Sequence, residues 1–164
     1  MRNESPTDWS GFTPQERAVV ALVRSDGELL LIRKKRGFGA GKVNGPGGRI
    51  EPGETAAQAA VRETDEETGI AISEPVEAAH LDFVFRDGYS LTVYVFITDQ
   101  WNGTPVETDE ADPFWTRIDA IPYDQMWADD ALWLPEVLAG RYVAGRFVFD
   151  GDNMLWSSLQ IADR

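Results

Sequence analysis

Hydrophobic residues alternate with polar ones, or run together, in short stretches bounded by turn residues, a pattern typical of β-strands. On this pattern we predict strands over Ala18–Arg24, Glu28–Lys34, Ala79–Phe85, Ser90–Thr98, Phe114–Ile118, Tyr142–Phe149 and Met154–Ile161. Glycine-containing turns join three pairs of these strands into hairpins, around Gly27, Gly88 and Gly151.

Over residues 55–68 the pattern changes to that of a helix. Thr55 and Gln58 have the spacing of a capping box, and Gly69 lies where a left-handed residue ends a helix. On a helical wheel one stripe holds small and apolar residues, which we expect to pack on the sheet: Ala57, Ala60, Val61, Thr64 and Thr68.

A second helix is predicted over Asp129–Ala139, with an interruption near Pro135. Together the elements predict an α+β fold, in which a mixed β-sheet packs against few helices. A chain of 164 residues is long enough for one such domain and too short for two ordinary ones. We expect residues 1–16 to form a flexible N-terminal extension and residues 17–164 to form the domain.

Composition disfavours nucleic-acid and membrane partners and excludes sites that need cysteine or several histidines. Asp and Glu outnumber Lys and Arg by 28 to 15, and the resulting net charge of -13 disfavours a nucleic-acid partner. No apolar run approaches the roughly 20 residues of a transmembrane helix, so we expect a soluble, cytoplasmic protein without a membrane partner. The absence of cysteine and the single histidine, His80, exclude a thiolate nucleophile and a metal site rich in His or Cys.

Six basic residues and six glycines fall within one stretch, residues 33–49. Glycine permits close backbone approach, so such a loop can place N–H groups and ammonium groups around phosphates. A flexible, solvated surface loop explains the same composition. The residues of this stretch leave both interpretations open.

Three carboxylates, those of Glu63, Glu66 and Glu67, fall on a second stripe of the first predicted helix. Like charges three and four residues apart repel, and a bound cation removes that repulsion. Hard oxygen ligands suit Mg²⁺, with Mn²⁺ as the alternative metal. A solvated acidic helix face is the simpler interpretation of this spacing taken alone.

A wider spacing decides between these two interpretations. It runs through seven residues: Gly48, Glu54, Arg62, Glu63, Glu66, Glu67 and Gly69. The sequence resembles the Nudix box at each of these positions. At one variable position Thr64 replaces the usual aliphatic residue, and we expect its hydroxyl to bond to the Ala60 carbonyl at a small cost in stability.

The resemblance implies the Nudix fold, an α/β/α sandwich, and hydrolysis of a nucleoside diphosphate linked to another group. It also implies a set of metal ligands: the Gly48 carbonyl, Glu63, Glu66, Glu67 and, from a loop facing the helix, Glu110. Glu54 and Arg62 are implied as a structural ion pair. The general base is left open between Glu66 and Glu110.

Four other segments carry a narrower resemblance: Lys34–Gly41, Asn44–Gly45, Gly103–Glu107 with Asp109 and Glu110, and Met126–Trp127 with Asp129 and Asp130. They resemble one branch of the family, the animal oxidised purine nucleoside triphosphatases, and the similarity runs from about Ala18 to Ile161. This resemblance implies that Lys34 binds phosphate, and it implies a base pocket made of Phe38, Asn44, Phe83, Phe85, Trp127, Asp129 and Asp130. Two neighbouring carboxyl groups in an apolar pocket can share a proton, and such a pair both donates to and accepts from a purine edge. The alternative role for the two aspartates is a helix N-cap.

Four positions depart from that branch: Val19, Val43, Pro46 and Leu91 replace a threonine, a tryptophan, a phenylalanine and a methionine. Our main hypothesis is a monomeric Mg²⁺-dependent enzyme that converts oxidised purine nucleoside triphosphates, such as 8-oxo-dGTP and 2-oxo-dATP, to monophosphate and pyrophosphate. One alternative is Nudix hydrolysis of another nucleotide: an alkylated purine triphosphate, an ordinary dNTP, a dinucleoside polyphosphate or ADP-ribose. The other is a nucleotide sensor without catalysis.

Overall fold

The computed structural model describes residues 4–164, so the first three residues of the predicted N-terminal extension lie outside the described residues. Two α-helices are present in this range, α1 (Ala56–Thr68) and α2 (Asp130–Leu138), together with short 3-10 helices at Ile118–Ala120 and Tyr123–Gln125. The strands are β1 (Glu16–Ser25), β2 (Glu28–Lys34), β3 (Val43–Asn44), β4 (Gly47–Arg49), β5 (Ala71–Ser73), β6 (Val76–Phe85), β7 (Ser90–Thr98), β8 (Gln100–Asn102), β9 (Ala111–Arg117), β10 (Arg141–Asp150) and β11 (Asn153–Asp163).

The main sheet has the strand order β11-β10-β6-β7-β1-β2-β3, while β4 pairs with β1 and β9 pairs with β2. Strand β1 runs parallel to β7, and β10 runs parallel to β6. The other pairings in this sheet are antiparallel. Strands β5 and β8 form a small separate sheet. The predicted mixed sheet is therefore confirmed.

Side chains from the two faces of the sheet enter two separate apolar clusters. Leu22 of β1 packs in a cluster that also contains Trp133, Leu134 and Val137 of α2. Its neighbours on the other face pack beneath α1 in a cluster that includes Val19, Ala21, Val23, Ala59 and Ala60. The sheet thus lies between the two helices, and α1 and α2 present their residues on opposite faces.

Each predicted strand is present, and the segments Glu28–Lys34 and Ser90–Thr98 match residue for residue. Four strands, β3, β4, β5 and β8, were not predicted. They are only two or three residues long, which is too short to show an alternation of hydrophobic and polar residues.

The predicted interruption of the second helix is wrong. Helix α2 continues through Pro135, whose carbonyl accepts a hydrogen bond from the Ala139 N–H at 3.0 Å. Trp133, Leu134 and Val137 are at most 3% exposed, and this burial stabilises the helix despite the hydrogen bond that proline removes.

Helix α1 has the predicted ends. The Thr55 hydroxyl accepts from the Gln58 N–H, the Gln58 side chain accepts from the Thr55 N–H, and Gly69 ends the helix with φ 78°. The buried face differs from the predicted stripe, because Val61 is 37% exposed while Glu67 is 3% exposed. The helix is rotated so that one of its carboxylates is turned inward.

Beside the sheet, the N-terminal segment contacts the last hairpin. The Trp9 ring lies 6.2 Å from the Trp156 ring and 5.2 Å from Phe12, and the Arg146 guanidinium lies 5.3 Å from the Trp9 ring. Among the described residues, no helix has the length and apolar character needed to cross a membrane.

Candidate active site

Three carboxylates converge where α1 faces strand β4 and the loop before β9. Glu63 and Glu67 come from α1 and Glu110 comes from the loop, and one oxygen of each lies within 4.8 Å of the others. The Gly47 N–H donates to Glu67 Oε1 at 2.7 Å, which fixes the buried carboxylate against β4. We call Glu63, Glu67 and Glu110 the acidic end.

Gly48 allows this close approach of strand and helix. A Cβ atom at this position would lie 2.5 Å from Glu63 Cδ, well inside van der Waals contact. The next residue, Arg49, accepts a hydrogen bond at its backbone carbonyl from Arg62 Nη2 at 3.0 Å. Glycine at position 48 is therefore required for the carboxylate to lie against the backbone.

Arg62 connects Glu63, a member of the acidic end, to two neighbouring glutamates, Glu54 and Glu66. Its Nε and Nη2 bind the two oxygens of Glu54 at 2.7 and 2.9 Å, and its Nη1 binds Glu63 at 2.8 Å and Glu66 at 3.2 Å. The bidentate pair with Glu54 lowers the pKa of that carboxyl to about 2, chiefly through the Arg62 hydrogen bond. This geometry agrees with the implied structural ion pair.

Glu66 lies apart from the three converging carboxylates. It is on α1 with Glu63 and Glu67, but its side chain is 52% exposed and its oxygen pairs with Arg62. The three carboxylates expected on one stripe thus occupy different environments: Glu67 is buried, Glu63 is half-buried and Glu66 faces solvent.

Burial raises the pKa of two of the carboxyl groups in the acidic end. For Glu67 the pKa rises to about 7, because burial and the charges of Glu63 and Glu110 outweigh the Gly47 hydrogen bond and the Lys34 charge. For Glu63 burial also raises the pKa, against the lowering effect of Arg62. Carboxylates that repel one another at this distance form a favourable oxygen ligand set for a hard divalent cation.

Two basic residues of the glycine-rich stretch lie beside the acidic end. Lys34 Nζ donates to the Phe38 backbone carbonyl at 2.6 Å, and Arg36 Nη2 lies 3.4 Å from Glu110 Oε1. The hydrogen bonds Ala40 N–H to Gly37 and Lys42 N–H to Gly39 fold the loop into successive turns. Backbone hydrogen bonds within the stretch thus fold this part of it into turns.

A cleft of about 310 Å³ runs along the sheet from the acidic end. Its lining includes Glu67, Gly47, Gly48 and Lys34 together with every residue of the implied base pocket: Phe38, Asn44, Phe83, Phe85, Trp127, Asp129 and Asp130. The structure thus brings the predicted phosphate and base residues into one cavity.

Aromatic rings form much of the cleft wall. The Phe38 ring stacks on Trp127 with 5.2 Å between centroids and 14° between planes, and it meets Phe85 edge-on at 5.4 Å. A Cβ atom at Gly39 would lie 3.0 Å from Trp127 Nε1, so glycine lets the loop pass close to the indole. Phe38 itself is 49% exposed, at the mouth of the cleft.

Asp129 and Asp130 lie at the start of α2 and are 3% and 4% exposed. Asp129 is the N-cap residue, yet its side chain makes no capping hydrogen bond and accepts instead from Trp133 Nε1 at 2.8 Å. Asp130 Oδ2 is buried without a hydrogen-bond partner among the described residues. Burial raises the pKa of both carboxyl groups, and the neighbouring Asp129 raises that of Asp130 further, so the pair retains protons above the usual range of aspartate. We call these two residues the aspartate end.

The four departures from the animal enzymes have different surroundings. Val19 and Leu91 line the cleft, and Val19 also packs in the cluster beneath α1. Val43 packs in the cluster beneath α2 and is fully buried. The carbonyl of Pro46 accepts from the Ala21 N–H at 2.8 Å, which joins the glycine-rich segment to β1.

Several residues of the cleft lining carry no sequence signal for a site role, among them three polar or charged ones, Glu16, Arg49 and Tyr89. They come from the start of β1, from β4 and from the turn between β6 and β7. The sequence pattern predicts that Tyr89 lies in a hairpin turn, and no motif includes it. Only the pairing of distant strands brings the three side chains together.

Comparisons with known proteins agree with this geometry. The model of the NUDIX domain matches residues 13–137. An oxidized purine nucleoside triphosphate hydrolase of Danio rerio is 44% identical over 137 residues, covering 83% of this chain and 88% of its own length. The Mus musculus protein of the same name is 39% identical over 146 residues, covering 88% and 94%. A crystal structure of a mutator MutT protein from Bacillus halodurans superimposes with a TM-score of 0.80 at 26% identity, covering 88% of this chain and 97% of that one.

Proposed function

The chain belongs to the Nudix family of hydrolases, and from this premise we propose that it hydrolyses oxidised purine nucleoside triphosphates to the monophosphate and pyrophosphate. One observation carries the proposal: a single cleft is lined by a carboxylate of the acidic end and by the buried aspartates of the aspartate end. The first set suits a metal-bound polyphosphate, and the second suits a purine edge. The names of the two relatives described above support the same substrate class.

We propose Mg²⁺ as the metal, with Mn²⁺ as a substitute. Glu63, Glu67 and Glu110 would hold it, with the Gly48 carbonyl and Glu66 as further ligands. The donor set is all oxygen and includes two carboxyl groups whose raised pKa values reflect burial and crowding, as expected of a site built for a cation. When bound, such a metal neutralises phosphate charge and lowers the pKa of a water molecule.

The protein's own residues position the reactants. Arg62 fixes Glu63 and Glu66 relative to β4, and Lys34 lies at the acidic end, where its ammonium can bind a phosphate oxygen. A carboxylate accepts the proton of the attacking water, and we assign that role to Glu66 or Glu110. Both are more exposed to solvent than Glu67, with side chains 52% and 44% exposed.

At the aspartate end, a shared proton lets one carboxyl group donate while the other accepts. An oxidised guanine and an oxidised adenine present different donor and acceptor patterns, and the pair can match either by shifting its proton. Asn44 adds an amide to the same wall, and Trp127 and Phe38 supply ring faces for the base. We therefore propose that the base is selected at the aspartate end, by residues other than those of the acidic end.

The testing experiment measures pyrophosphate release with Mg²⁺ from 8-oxo-dGTP, 2-oxo-dATP, O6-methyl-dGTP, dGTP and ADP-ribose, with kcat/KM for each. We expect the oxidised purine triphosphates to give the highest values. A preference for O6-methyl-dGTP, or equal values for all triphosphates, would replace the proposed substrate with one of the alternatives. Tight nucleotide binding without pyrophosphate release under any divalent metal would identify a sensor.

The substrate is a free nucleotide rather than a nucleic acid, in keeping with the net charge of -13. The enzyme acts as a monomer in the cytoplasm, where it removes damaged nucleotides from the precursor pool. Residues 17–164 form the catalytic domain, preceded by the N-terminal extension.

A further inference from the structure

One residue of the cleft wall has no part in the function proposed above, although it connects the two ends of the cleft. Tyr89 lines the cleft, and its ring lies 5.4 Å from Phe38 and 5.7 Å from Phe85. Both of those rings contact Trp127, which precedes the aspartate end by two residues. Tyr89 is thus joined by ring contacts to the part of the cleft that receives the base.

The hydroxyl of Tyr89 extends toward the acidic end. It donates to Glu16 Oε2 at 2.7 Å, and the same oxygen pairs with Arg49 Nε at 2.9 Å. Arg49 directly follows Gly48, which packs against Glu63. Tyr89, Glu16 and Arg49, which we call the Tyr89 chain, therefore connect the rings of Phe38 and Phe85 to the residue next to Gly48 along one wall of the cleft.

The structure holds Tyr89 firmly in this place. The Phe85 N–H donates to the Tyr89 carbonyl at 2.8 Å, and the Tyr89 N–H donates to Asp87 Oδ1 at 2.9 Å. Burial and the neighbouring Glu16 raise the pKa of the phenol to about 12, so it remains a hydrogen-bond donor at neutral pH. The ring thus has a fixed orientation, with its polar atom turned toward Glu16.

A nucleoside triphosphate whose base reaches the aspartate end and whose phosphates reach the acidic end must place its sugar between them. We propose that Tyr89 is a specificity-determining residue, whose ring is the surface against which that sugar packs and which favours 2′-deoxyribose over ribose. The proposal rests on the proposed function. A ring face contacts the C2′ methylene of deoxyribose favourably, whereas a 2′-hydroxyl loses water there. Such a wall rejects an added hydroxyl by at most about 100-fold.

The experiment measures dissociation constants of 8-oxo-dGMP and 8-oxo-GMP by calorimetry in the presence of Mg²⁺. Neither monophosphate contains a phosphoanhydride bond, so binding is observed without turnover. We expect the wild type to bind the deoxynucleotide about tenfold more tightly. Tyr89→Ala should reduce that ratio to about one, and Tyr89→Phe, which keeps the ring, should retain most of it.

Two further variants keep the result interpretable. Tyr89→Gln fills the space with a side chain that can bond to a 2′-hydroxyl, so the ratio should fall to about one even if the alanine variant does not fold. Tyr142→Phe is the matched control, because the Tyr142 hydroxyl makes an equivalent bond to Glu77 on β6, away from the cleft. This control should leave the ratio unchanged.

An unchanged ratio in both Tyr89→Ala and Tyr89→Gln, or a wild type that binds the two monophosphates equally or binds neither, overturns the inference. Turnover of 8-oxo-dGTP by the wild type is measured separately. Preference for the deoxynucleotide without such turnover would contradict the proposed function and leave the role of Tyr89 standing. Turnover of 8-oxo-dGTP, together with a binding ratio that Tyr89 substitutions do not change, would support the proposed function and overturn the role of Tyr89.

Discussion

The acidic end and the aspartate end are both made of carboxyl groups, yet their surroundings differ. Glu63, Glu67 and Glu110 lie beside the cations Arg62, Lys34 and Arg36, and Glu67 accepts a backbone N–H. Asp129 and Asp130 are surrounded by apolar and aromatic side chains, with the Trp133 indole as the hydrogen-bond donor to Asp129. No Lys or Arg contacts either aspartate among the described residues.

This difference in surroundings determines how the repulsion between neighbouring carboxylates is neutralised at each end. At the acidic end, Arg62 acts on Glu63 and Lys34 acts on Glu67 to oppose the rise in pKa that burial causes, and a divalent cation can neutralise the negative charge that remains. At the aspartate end no Lys or Arg within residues 4–164 contacts the carboxyl groups, so a proton neutralises them instead. The same functional group thus serves phosphate chemistry at one end and recognition of a base at the other.

Replacing either Glu66 or Glu67 should have the largest effect. Glu67→Gln removes a charge from the acidic end while keeping an oxygen for the Gly47 N–H. We expect kcat for 8-oxo-dGTP to fall about 1000-fold, equivalent to ~4 kcal/mol of transition-state stabilisation. Binding of 8-oxo-dGMP should change by about twofold or less, since its base is held elsewhere. Pyrophosphate release and calorimetry measure the two effects.

Asp65→Asn, on the exposed face of the same helix, is the control and should leave kcat unchanged. Glu66→Gln should also abolish turnover without altering the fold, and comparison with Glu110→Gln identifies the general base. Retained activity in Glu67→Gln and in Glu66→Gln would contradict the assigned site.

Asp129→Asn and Asp130→Asn should reduce selectivity for the oxidised base and should change the hydrolysis of dGTP little. Each fixes an amide where the wild type shares a proton, so the match to an oxidised purine is lost. We expect the ratio of kcat/KM for 8-oxo-dGTP over dGTP to fall about 10- to 100-fold, while kcat/KM for dGTP changes by about threefold or less. Equal losses on both nucleotides would show that the aspartates support the structure and do not select the base.

The sequence predicted the scaffold of the acidic end in detail. The capping box at Thr55, the glycine C-cap at Gly69 and the Thr64 hydroxyl bonding to the Ala60 carbonyl at 2.7 Å all depend on residues within one helix. Local hydrogen bonds of this kind follow from spacing alone. The rotation of the helix that buries Glu67 and exposes Val61 could not be predicted from this spacing, because it depends on the strand against which the helix packs.

The aspartate end and the position of Tyr89 could not be derived from local patterns, for two different reasons. Asp129 and Asp130 were found through resemblance to known enzymes, and their burial could not be derived from a pattern that equally fits a helix N-cap. Tyr89 meets Glu16 across 73 residues of sequence, through the parallel pairing of β1 with β7. Contacts of that kind depend on topology, which alternation of hydrophobic and polar residues does not specify.

The smallest predicted effect concerns stability rather than activity. The raised pKa values of Asp129 and Asp130 mean that the folded chain holds protons which the unfolded chain loses near the ordinary aspartate value of 3.8. The stabilisation from these protons is complete below that value and is lost as pH rises through the folded pKa values. Without divalent metal, the free energy of unfolding should therefore decrease with pH, by at most about 1.4 kcal/mol per pH unit for each retained proton.

Asp130→Asn removes one of these titrations and leaves a neutral group of the same shape. Its free energy of unfolding should rise relative to the wild type as pH increases from about 5 to about 8, reaching a difference of roughly 1 kcal/mol. Asp124→Asn, at an exposed position, is the control, and its free energy of unfolding should vary with pH in parallel with that of the wild type. Urea denaturation at a series of pH values measures all three curves. If Asp130→Asn also ran parallel to the wild type, the aspartate end would be ionised in the folded protein, and the contrast with the acidic end would be one of position and not of protonation.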